Sequence, residues 1–428
     1  MQSSSSSRTS AGPLPHGATP EGGLPQGGTP HGRLAHGGWS PDPVAIWVYT
    51  GVIMLVIQVI LGGITRLTGS GLSITEWNVA TGIVPPLNAA DWQDAFDKYR
   101  QTPQYHFINS GFSLSDFKFI FFWEWFHRFW ARMVGVVFLV GFAGLLWKKK
   151  IRLGIIRPLI ILFLLGALQG AVGWIMVASG LTGDAIYVQP TKLALHFVFA
   201  LGLIVYTFWL ALQLSVPDSS RLGAVNPASP AHPAAPNPSA SPAHPAAPSP
   251  AAPPPAYGRS LVSLRRWTIA IFVVLFVQLS YGALMAGHKA ANAAPDWPTI
   301  NGDWVPPGMF ARQSPLQALA GNRITVQFIH RSLAYGLLLM VLIWTVKAAR
   351  LTNTPAFFRP LRWLPLTLIG AQIILGISSL LTSPWIRPQH WVSFDWLAQF
   401  HQVTGLLFLL TMTGMLYLVV PAKRSLSI

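Results

Sequence analysis

Eight apolar segments, each long enough to cross a lipid bilayer, alternate with more polar connections along the chain. A helix needs about 20 mostly apolar residues to cross the hydrocarbon region. Segments of about this length lie near residues 44–63, 125–147, 156–178, 193–214, 267–287, 325–346, 364–383 and 396–420. The pattern predicts an all-α integral membrane protein with eight transmembrane helices.

The composition supports this class and removes several kinds of chemistry. Of the 428 residues, 51% are hydrophobic and only 10% are charged, whereas a soluble domain usually has about 25% charged residues. The chain has no cysteine. Disulfides, iron–sulfur clusters, thiolate-bound zinc and thiol nucleophiles are therefore excluded. Any metal must be bound by nitrogen or oxygen.

Two segments have compositions that do not support a packed core. Residues 1–43 are rich in Gly, Pro and Ser, and residues 216–259 are rich in Pro and Ala. We expect a disordered tail and a disordered linker. They contain His16, His31, His36, His232 and His244. A metal-binding tail is one interpretation of these histidines, but solvated spacer residues are favoured.

The net charge of +16 follows the predicted membrane topology. The tails and the loops after the second, fourth and sixth spans hold 17 of the 29 basic residues but only 3 of the 13 acidic ones. Because Lys and Arg are enriched on the cytoplasmic side, both termini are predicted to be cytoplasmic. A bacterial inner membrane is the simplest location. The charge therefore gives no support to nucleic-acid binding.

The chain contains an internal repeat. Residues 58–77 align with residues 278–297 at an offset of 220, and the following spans align at an offset of 203. The second offset pairs His127-Arg128 with His330-Arg331. Four spans per copy give both copies the same orientation in the membrane. We expect two tandem four-helix bundles, at residues 44–215 and 260–428.

Four histidines lie inside predicted spans, within one or two turns of the outer face. They are His127, His196, His330 and His401, one pair in each half. A single histidine near the end of a span is usually an interface residue bonded to a carbonyl, but matched pairs in both repeats favour bis-histidine heme ligation. A cation relay would instead place ionisable groups at several depths.

An arginine directly follows the first histidine of each pair. Arg128 and Arg331 lie at the same outer level, and a guanidinium binds carboxylates in a bidentate manner. Heme propionates are therefore candidate partners. The alternative is that these side chains extend to lipid headgroups.

The two halves differ at one ionisable position. Glu124 lies on the same helical face as His127, and its counterpart at an offset of 203 is Gln327. A carboxyl group at this place can transfer a proton or order an oxygen species. The difference favours chemistry in the first half and electron transfer or structure in the second. The alternative role for Glu124 is a salt bridge to Arg128 or Arg132.

The outer loop at residues 64–123 is long and rich in aromatic residues. Residues 89–100 are predicted to form a short amphipathic helix on the membrane surface. Loops of this length are commonly functional covers or disordered, and the aromatic content favours an ordered cover over the heme sites.

Several long motifs resemble heme A synthase. They are GGITRLTGSGLSITEWNVATGIVPP, FKFIFFWEWFHRFWARMVG, LQGAVGWIMVASGL, DWPTINGDWVPP and QFIHRSLAY. The similarity is to the branch shared by mitochondria and many Gram-negative bacteria, and it covers residues 44–215 and 260–420. It implies an enzyme that oxidises the C8 methyl group of heme O to a formyl group by two successive hydroxylations, giving heme A for cytochrome oxidase.

The resemblance also implies roles for individual residues. His330 and His401 would ligate a heme b cofactor, His127 and His196 would serve the substrate heme O, and Glu124 would be the family's carboxylate. Some branches carry a cysteine pair in the first outer loop, which this chain lacks. Expected partners are an unidentified electron donor, heme O synthase, oxidase assembly factors and membrane lipid. A non-catalytic diheme b-type cytochrome and a heme carrier are the competing hypotheses.

Overall fold

The computed structural model describes residues 42–76, 81–222, 256–310, 314–352, 354–387 and 391–421. The five histidines of the tail and linker lie outside these ranges. Most of the residues for which disorder is predicted also lie outside them. Within the described ranges the chain forms α-helices, short 3₁₀ turns and no β-strand.

Eight long helices confirm the predicted number of membrane spans. They are α1 (Pro43–Leu67), α4 (Leu114–Trp147), α5 (Leu153–Ala178), α6 (Pro190–Ser215), α7 (Ala256–Gly287), α9 (Arg323–Ala349), α11 (Leu364–Thr382) and α12 (Ser393–Val419). All eight are long and apolar enough to cross a membrane. Four short helices complete the set: α2 (Ala89–Arg100), α3 (Pro103–Ile108), α8 (Pro315–Gly321) and α10 (Phe358–Leu361).

Polar caps fix where several helices begin. The Asp42 side chain accepts a hydrogen bond from Val44 N–H at the start of α1. Ser113 and Asp116 form a capping box before α4. Such caps satisfy N–H groups that have no partner inside the helix, so the membrane helices start at defined residues.

The predicted surface helix at residues 89–100 is confirmed as α2, and it anchors an aromatic cluster. Phe96 and Tyr99 of α2 are buried against Phe117, which is fully buried in the first turn of α4. Because this cluster covers the first turns of α4, that helix begins at Leu114 instead of near residue 125. The end of the molecule that carries α2, α3 and α8 is called the loop end below.

The helices and turns at both ends of the linker extend further than predicted. Helix α7 begins at Ala256, and a 3₁₀ turn covers Asp218–Ser220. After this turn Arg221 stacks on the Tyr417 ring at 4.2 Å and donates to the Val420 and Pro421 carbonyls. Residues on both sides of the predicted linker boundaries thus lie in described elements, and Arg221 is held by contacts with the end of α12.

The long helices of the two halves are packed differently. In the second half α7, α9, α11 and α12 form a closed ring, in which each helix contacts the next and α12 contacts α7. In the first half α1 contacts α4 and α6, and α6 contacts α5, whereas α4 and α5 approach less closely and meet through the stacked rings of Phe138 and Phe163. The halves meet where α6 contacts α7 and α12, and where α1 contacts α12.

Candidate functional site

A single cavity of about 1520 Å³ runs between the helices of both halves. Its lining includes all four histidines of the spans, together with Glu124, Arg128 and Arg331. The helices therefore bring the predicted site residues to one continuous space. Within the described residues no group of three or more His, Asp or Glu side chains could hold a metal ion by itself.

His330 of α9 and His401 of α12 face each other in the second half. Their ring centres lie 6.4 Å apart with an angle of 73° between the planes. Metal–imidazole bonds of about 2 Å on both sides of one ion separate two ring centres by about 6 Å. The Nδ1 atom of His401 is 3.0 Å from the Gln372 carbonyl, and its Nε2 atom is 3.2 Å from the Gln372 side-chain nitrogen. This geometry fits a heme iron between the two rings.

In the first half the corresponding histidines, His127 of α4 and His196 of α6, line the same cavity. Gln169 of α5 donates from Nε2 to the His196 carbonyl at 3.1 Å, and the same nitrogen lies 3.1 Å from Nδ1 of the ring. On the other side, Nε2 of Gln58 donates to the His127 carbonyl at 3.2 Å. Both histidines are thus held from neighbouring helices at the edge of the cavity.

A glycine on the neighbouring helix lies against each of the four imidazoles. A Cβ atom added at Gly173 would lie 2.8 Å from Cε1 of His196, and one added at Gly376 would lie 2.9 Å from Cε1 of His401. At Gly62 and Gly282 the nearest histidine atoms would be 3.2 and 3.4 Å away. Glycine is therefore needed at Gly173 and Gly376 for the close approach of helix and ring.

Four glutamines near the histidines have a buried oxygen atom without a partner among the described residues. They are Gln58, Gln169, Gln278 and Gln372, two in each half at matching repeat positions. All four line the cavity. Buried polar atoms are normally hydrogen-bonded. These oxygens are acceptors, so a donor such as water would satisfy them. A heme fits each half because a pair of histidines lines the cavity there.

Glu124 is buried at the loop end of the cavity, with 2% of its surface exposed. Its carboxylate accepts from Ser73 Oγ at 2.7 Å and from Ile74 N–H at 2.8 Å. It also forms a salt bridge of 2.6 Å with Arg128. The salt-bridge partner that the sequence left open is therefore Arg128. Both members of the pair line the cavity.

The corresponding pair in the second half is built without a carboxylate. Gln327 donates from Nε2 to the Ala294 carbonyl at 2.9 Å. Arg331 donates to the carbonyls of Thr299, Ala294 and Asp296. Arg128 similarly donates to the Ile74 carbonyl at 3.4 Å. Both arginines thus hold the loop that follows the first helix of their own half.

The Asp296 carboxylate orders the loop that Arg331 contacts. It accepts from the N–H groups of Asn301 and Gly302 and from the Thr299 hydroxyl. Burial raises the pKa of this carboxyl, but the hydrogen bonds outweigh burial and hold it below its ordinary value. The loop therefore keeps its negative charge close to the cavity entrance at neutral pH.

Sequence reasoning identified the histidines, the arginines and Glu124, but it assigned no role to the glycines and glutamines that contact the histidines. The internal repeat could have identified these glycines and glutamines, because they occur at matching positions in both halves. Gly62 and Gly282 match at an offset of 220, and Gly173 and Gly376 match at 203. The loop partners Ser73 and Ile74 had no such signal, because their contact with Glu124 depends on the path of the loop.

The fold and the site define a multi-pass helical membrane protein in which two matched histidine pairs face one cavity, as in proteins that bind heme between helices. The family profile of cytochrome oxidase assembly proteins matches residues 45–413. The chain belongs to this family.

Curated relatives support the same assignment across most of the chain. A heme A synthase of Methylorubrum populi is 40% identical, over 78% of this chain and 78% of the relative. One of Flavobacterium johnsoniae is 36% identical, over 79% of this chain and 89% of the relative. One of Paracoccus denitrificans is 34% identical, over 79% and 80%.

Proposed function

We propose that this protein is an oxidoreductase that converts heme O to heme A for cytochrome oxidase. The observation that carries this proposal is the presence of two matched histidine pairs on one cavity in a chain of this family. The C8 methyl group of heme O would be hydroxylated twice, and the resulting geminal diol would lose water to give the formyl group.

The two histidine pairs have different tasks in this proposal. His330 and His401 hold heme b as a resident cofactor, supported by their ring separation of 6.4 Å. His127 and His196 hold heme O as substrate. A bound heme b supplies one-electron chemistry. The closed helix ring of the second half suits a permanently bound group, whereas the first half, in which α4 and α5 pack less closely, suits a group that enters and leaves.

The residues at the loop end orient the substrate and handle a proton. Glu124 is proposed as the catalytic carboxylate, because it lines the cavity one turn from His127 and its counterpart Gln327 cannot ionise. The salt bridge holds the Glu124 carboxylate and the Arg128 guanidinium together at the edge of the site. Arg128 and Arg331 remain the candidates for contact with the propionates.

The proposed location is a bacterial inner membrane with both termini in the cytoplasm. The basic residues Lys148–Lys150 and Arg350 lie at the end of the spans opposite the loop end. The positive-inside rule places that end in the cytoplasm, so the histidines lie toward the outer face. An electron donor, heme O synthase and oxidase assembly factors are the proposed partners.

Extraction of the bound hemes tests this function directly. The protein is purified from cells that also express a heme O synthase, and its hemes are separated by chromatography. Heme A, or its hydroxylated precursor, is the expected product. Heme B alone would favour a diheme b-type cytochrome, and bound heme O without any oxidised product would favour a carrier.

A further inference from the structure

The two halves differ in side-chain size at three positions beside the histidines. The offset of 203 that pairs His127 with His330 also pairs three glycines of the first half with large residues of the second. The pairs are Gly135 with Leu338, Gly166 with Ile369, and Gly170 with Ile373. At each of these three positions the first half has the smaller residue.

The three glycines all lie on the side of the first histidine pair that is away from the loop end. Gly135 lies two turns of α4 beyond His127, about 12 Å further from the loop end at 1.5 Å per residue. Gly166 and Gly170 lie one turn apart on one face of α5, and Gly173 in the next turn contacts His196. The glycines therefore surround the space directly below the first histidine pair, toward the middle of the spans.

This space is open in the first half. All three glycines line the cavity, and a Cβ atom added at any of them would meet no heavy atom within 4 Å. Helices α4 and α5 meet through the stacked rings of Phe138 and Phe163 but otherwise pack less closely than α9 and α11 in the described residues. The most apolar stretch of α4 has 0% of its residues buried, and that of α5 has 11%. The opening thus faces the lipid.

The same space is filled in the second half. Ile369 is 2% exposed and belongs to the main hydrophobic core, and Leu338 and Ile373 pack against that core. Helices α9 and α11 are in contact. The three larger side chains together add about twelve carbon atoms that the first half lacks, which is enough to close a passage between two helices.

A buried polar atom lies beside the open space of the first half. The Oε1 atom of Gln169, which lies next to Gly170, is buried without a partner among the described residues and its side chain lines the cavity. Gln372 has the same property in the second half, so the two halves match at this position. The space beside Gln169 is therefore continuous with a ligand site and not an isolated groove.

We propose that these three positions determine which heme each half accepts. The open space of the first half receives the isoprenoid chain of heme O, and the filled second half admits only a heme without such a chain. In heme O the chain is attached to the edge of the porphyrin opposite the propionates. With the propionates toward Arg128 at the loop end, the chain extends toward Gly135, Gly166 and Gly170. This inference rests on the proposed function.

The test is to copy the second half into the first with the double variant Gly166→Ile and Gly170→Ile. The matched control is Gly154→Ile, because Gly154 is also in α5 with nothing within 4 Å but does not line the cavity. The whole protein, loaded with heme B at His330 and His401, is titrated separately with heme O and with heme B.

The double variant should keep its resident heme B and still bind added heme B at the first pair. Its affinity for heme O should fall roughly tenfold or more, because side chains and ligand would compete for one space. The control should bind both hemes like the unaltered protein. If the double variant lost affinity for heme O and heme B to the same extent, the inference would be overturned. If it kept its affinity for both hemes, the inference would also be overturned, and the opening would hold only lipid.

Two further outcomes are distinguishable. If the double variant lost its resident heme B through misfolding, the single variant Gly170→Val would be titrated instead. The ratio of its heme O affinity to its heme B affinity would then test the inference. If the unaltered protein bound no heme O and made no heme A, the proposed function would fail and this inference with it. An active double variant with normal heme O affinity would overturn this inference alone.

Discussion

Glu124 and Gln327 occupy matched positions, and each suits the peptide group that it contacts. The Glu124 carboxylate accepts from Ile74 N–H, whereas the Gln327 amide donates to the Ala294 carbonyl. Ile74 and Ala294 also match in the repeat, at an offset of 220. Part of the difference between the halves is therefore explained by whether the loop offers an N–H or a carbonyl at the matched residue, so the catalytic role of Glu124 needs a test that leaves its loop contacts in place.

Glu124→Gln provides that test. The amide oxygen can still accept from Ser73 and Ile74, so the variant should fold, keep heme b on His330 and His401, and admit substrate heme. Production of heme A should fall about a hundredfold, which is within the usual range for loss of a positioned acid–base group. Heme O or its alcohol should accumulate, as measured by heme extraction from cells with a heme O synthase.

The mirror variant Gln327→Glu is the control, and it should not create a second catalytic site. Near-normal heme A from Glu124→Gln would remove the catalytic role and leave Glu124 as the salt-bridge partner of Arg128. Loss of substrate heme binding, instead of turnover, would make Glu124 a positioning residue.

Removal of either ligand in the second half should abolish the resident heme. His330→Ala or His401→Ala should eliminate the low-spin b-type absorption, because that spectrum requires an imidazole on each side of the iron. The polypeptide should still insert into the membrane, since each change removes one side chain from a long apolar helix. Optical spectra of membranes with matched protein content provide the measurement. A full low-spin heme B spectrum in both variants would contradict the cofactor assignment.

At the scale of whole elements, the glycine in α11 that faces His401 determines how closely that helix approaches α12. Gly376→Ala would place a methyl group 2.9 Å from Cε1 of the ring. The ring or the helix must then move, at a cost of about 1–3 kcal/mol. The expected result is a weakened or high-spin heme b signal and a lower thermal unfolding midpoint.

Gly370→Ala is the matched control, because Gly370 is in the same helix with nothing within 4 Å. It should leave the spectrum unchanged and slightly raise stability through better helix propensity. Equal spectra for the two variants would show that the contact at Gly376 is not needed to orient His401.

Element boundaries were predicted well where hydrophobicity alone defines them and poorly where loops take part. Helix α11 was predicted at 364–383 and is found at Leu364–Thr382. Helix α4 begins eleven residues earlier than predicted. Its first turns pack under the aromatic cluster of α2 and α3, and a hydrophobicity pattern along one segment does not contain that contact.

At the scale of the whole molecule, we expect the tail and most of the linker to be dispensable. Deletion of residues 1–40, together with replacement of residues 223–255 by a short Gly/Ser segment, should leave heme A per chain nearly unchanged. Both segments have compositions unsuited to a core, and both connect to the end opposite the histidines. A flexible replacement can still join α6 to α7. Loss of heme A in a well-expressed variant would show that one of these segments is functional.

Extending the linker deletion to residue 218 should have a different effect. It removes Leu222, which is fully buried, and Arg221, which stacks on Tyr417. Loss of the buried leucine and the stacked guanidinium should cost about 2–3 kcal/mol. A lower thermal unfolding midpoint in detergent, relative to the shorter deletion, is the expected measurement. Equal midpoints would contradict a structural role for residues 218–222.

The sequence by itself determined the number of spans, the repeat and the residues of the two histidine pairs. Hydrophobic segments and residues that match between the two halves of the chain reveal these features, so no tertiary contact is needed to find them. The tertiary structure decided that Glu124 binds Arg128 and Ile74, that Arg221 packs on Tyr417, and that α4 and α5 pack less closely than α9 and α11. Each of these depends on segments that are distant in sequence, and long-range packing between such segments is not recorded in any local pattern.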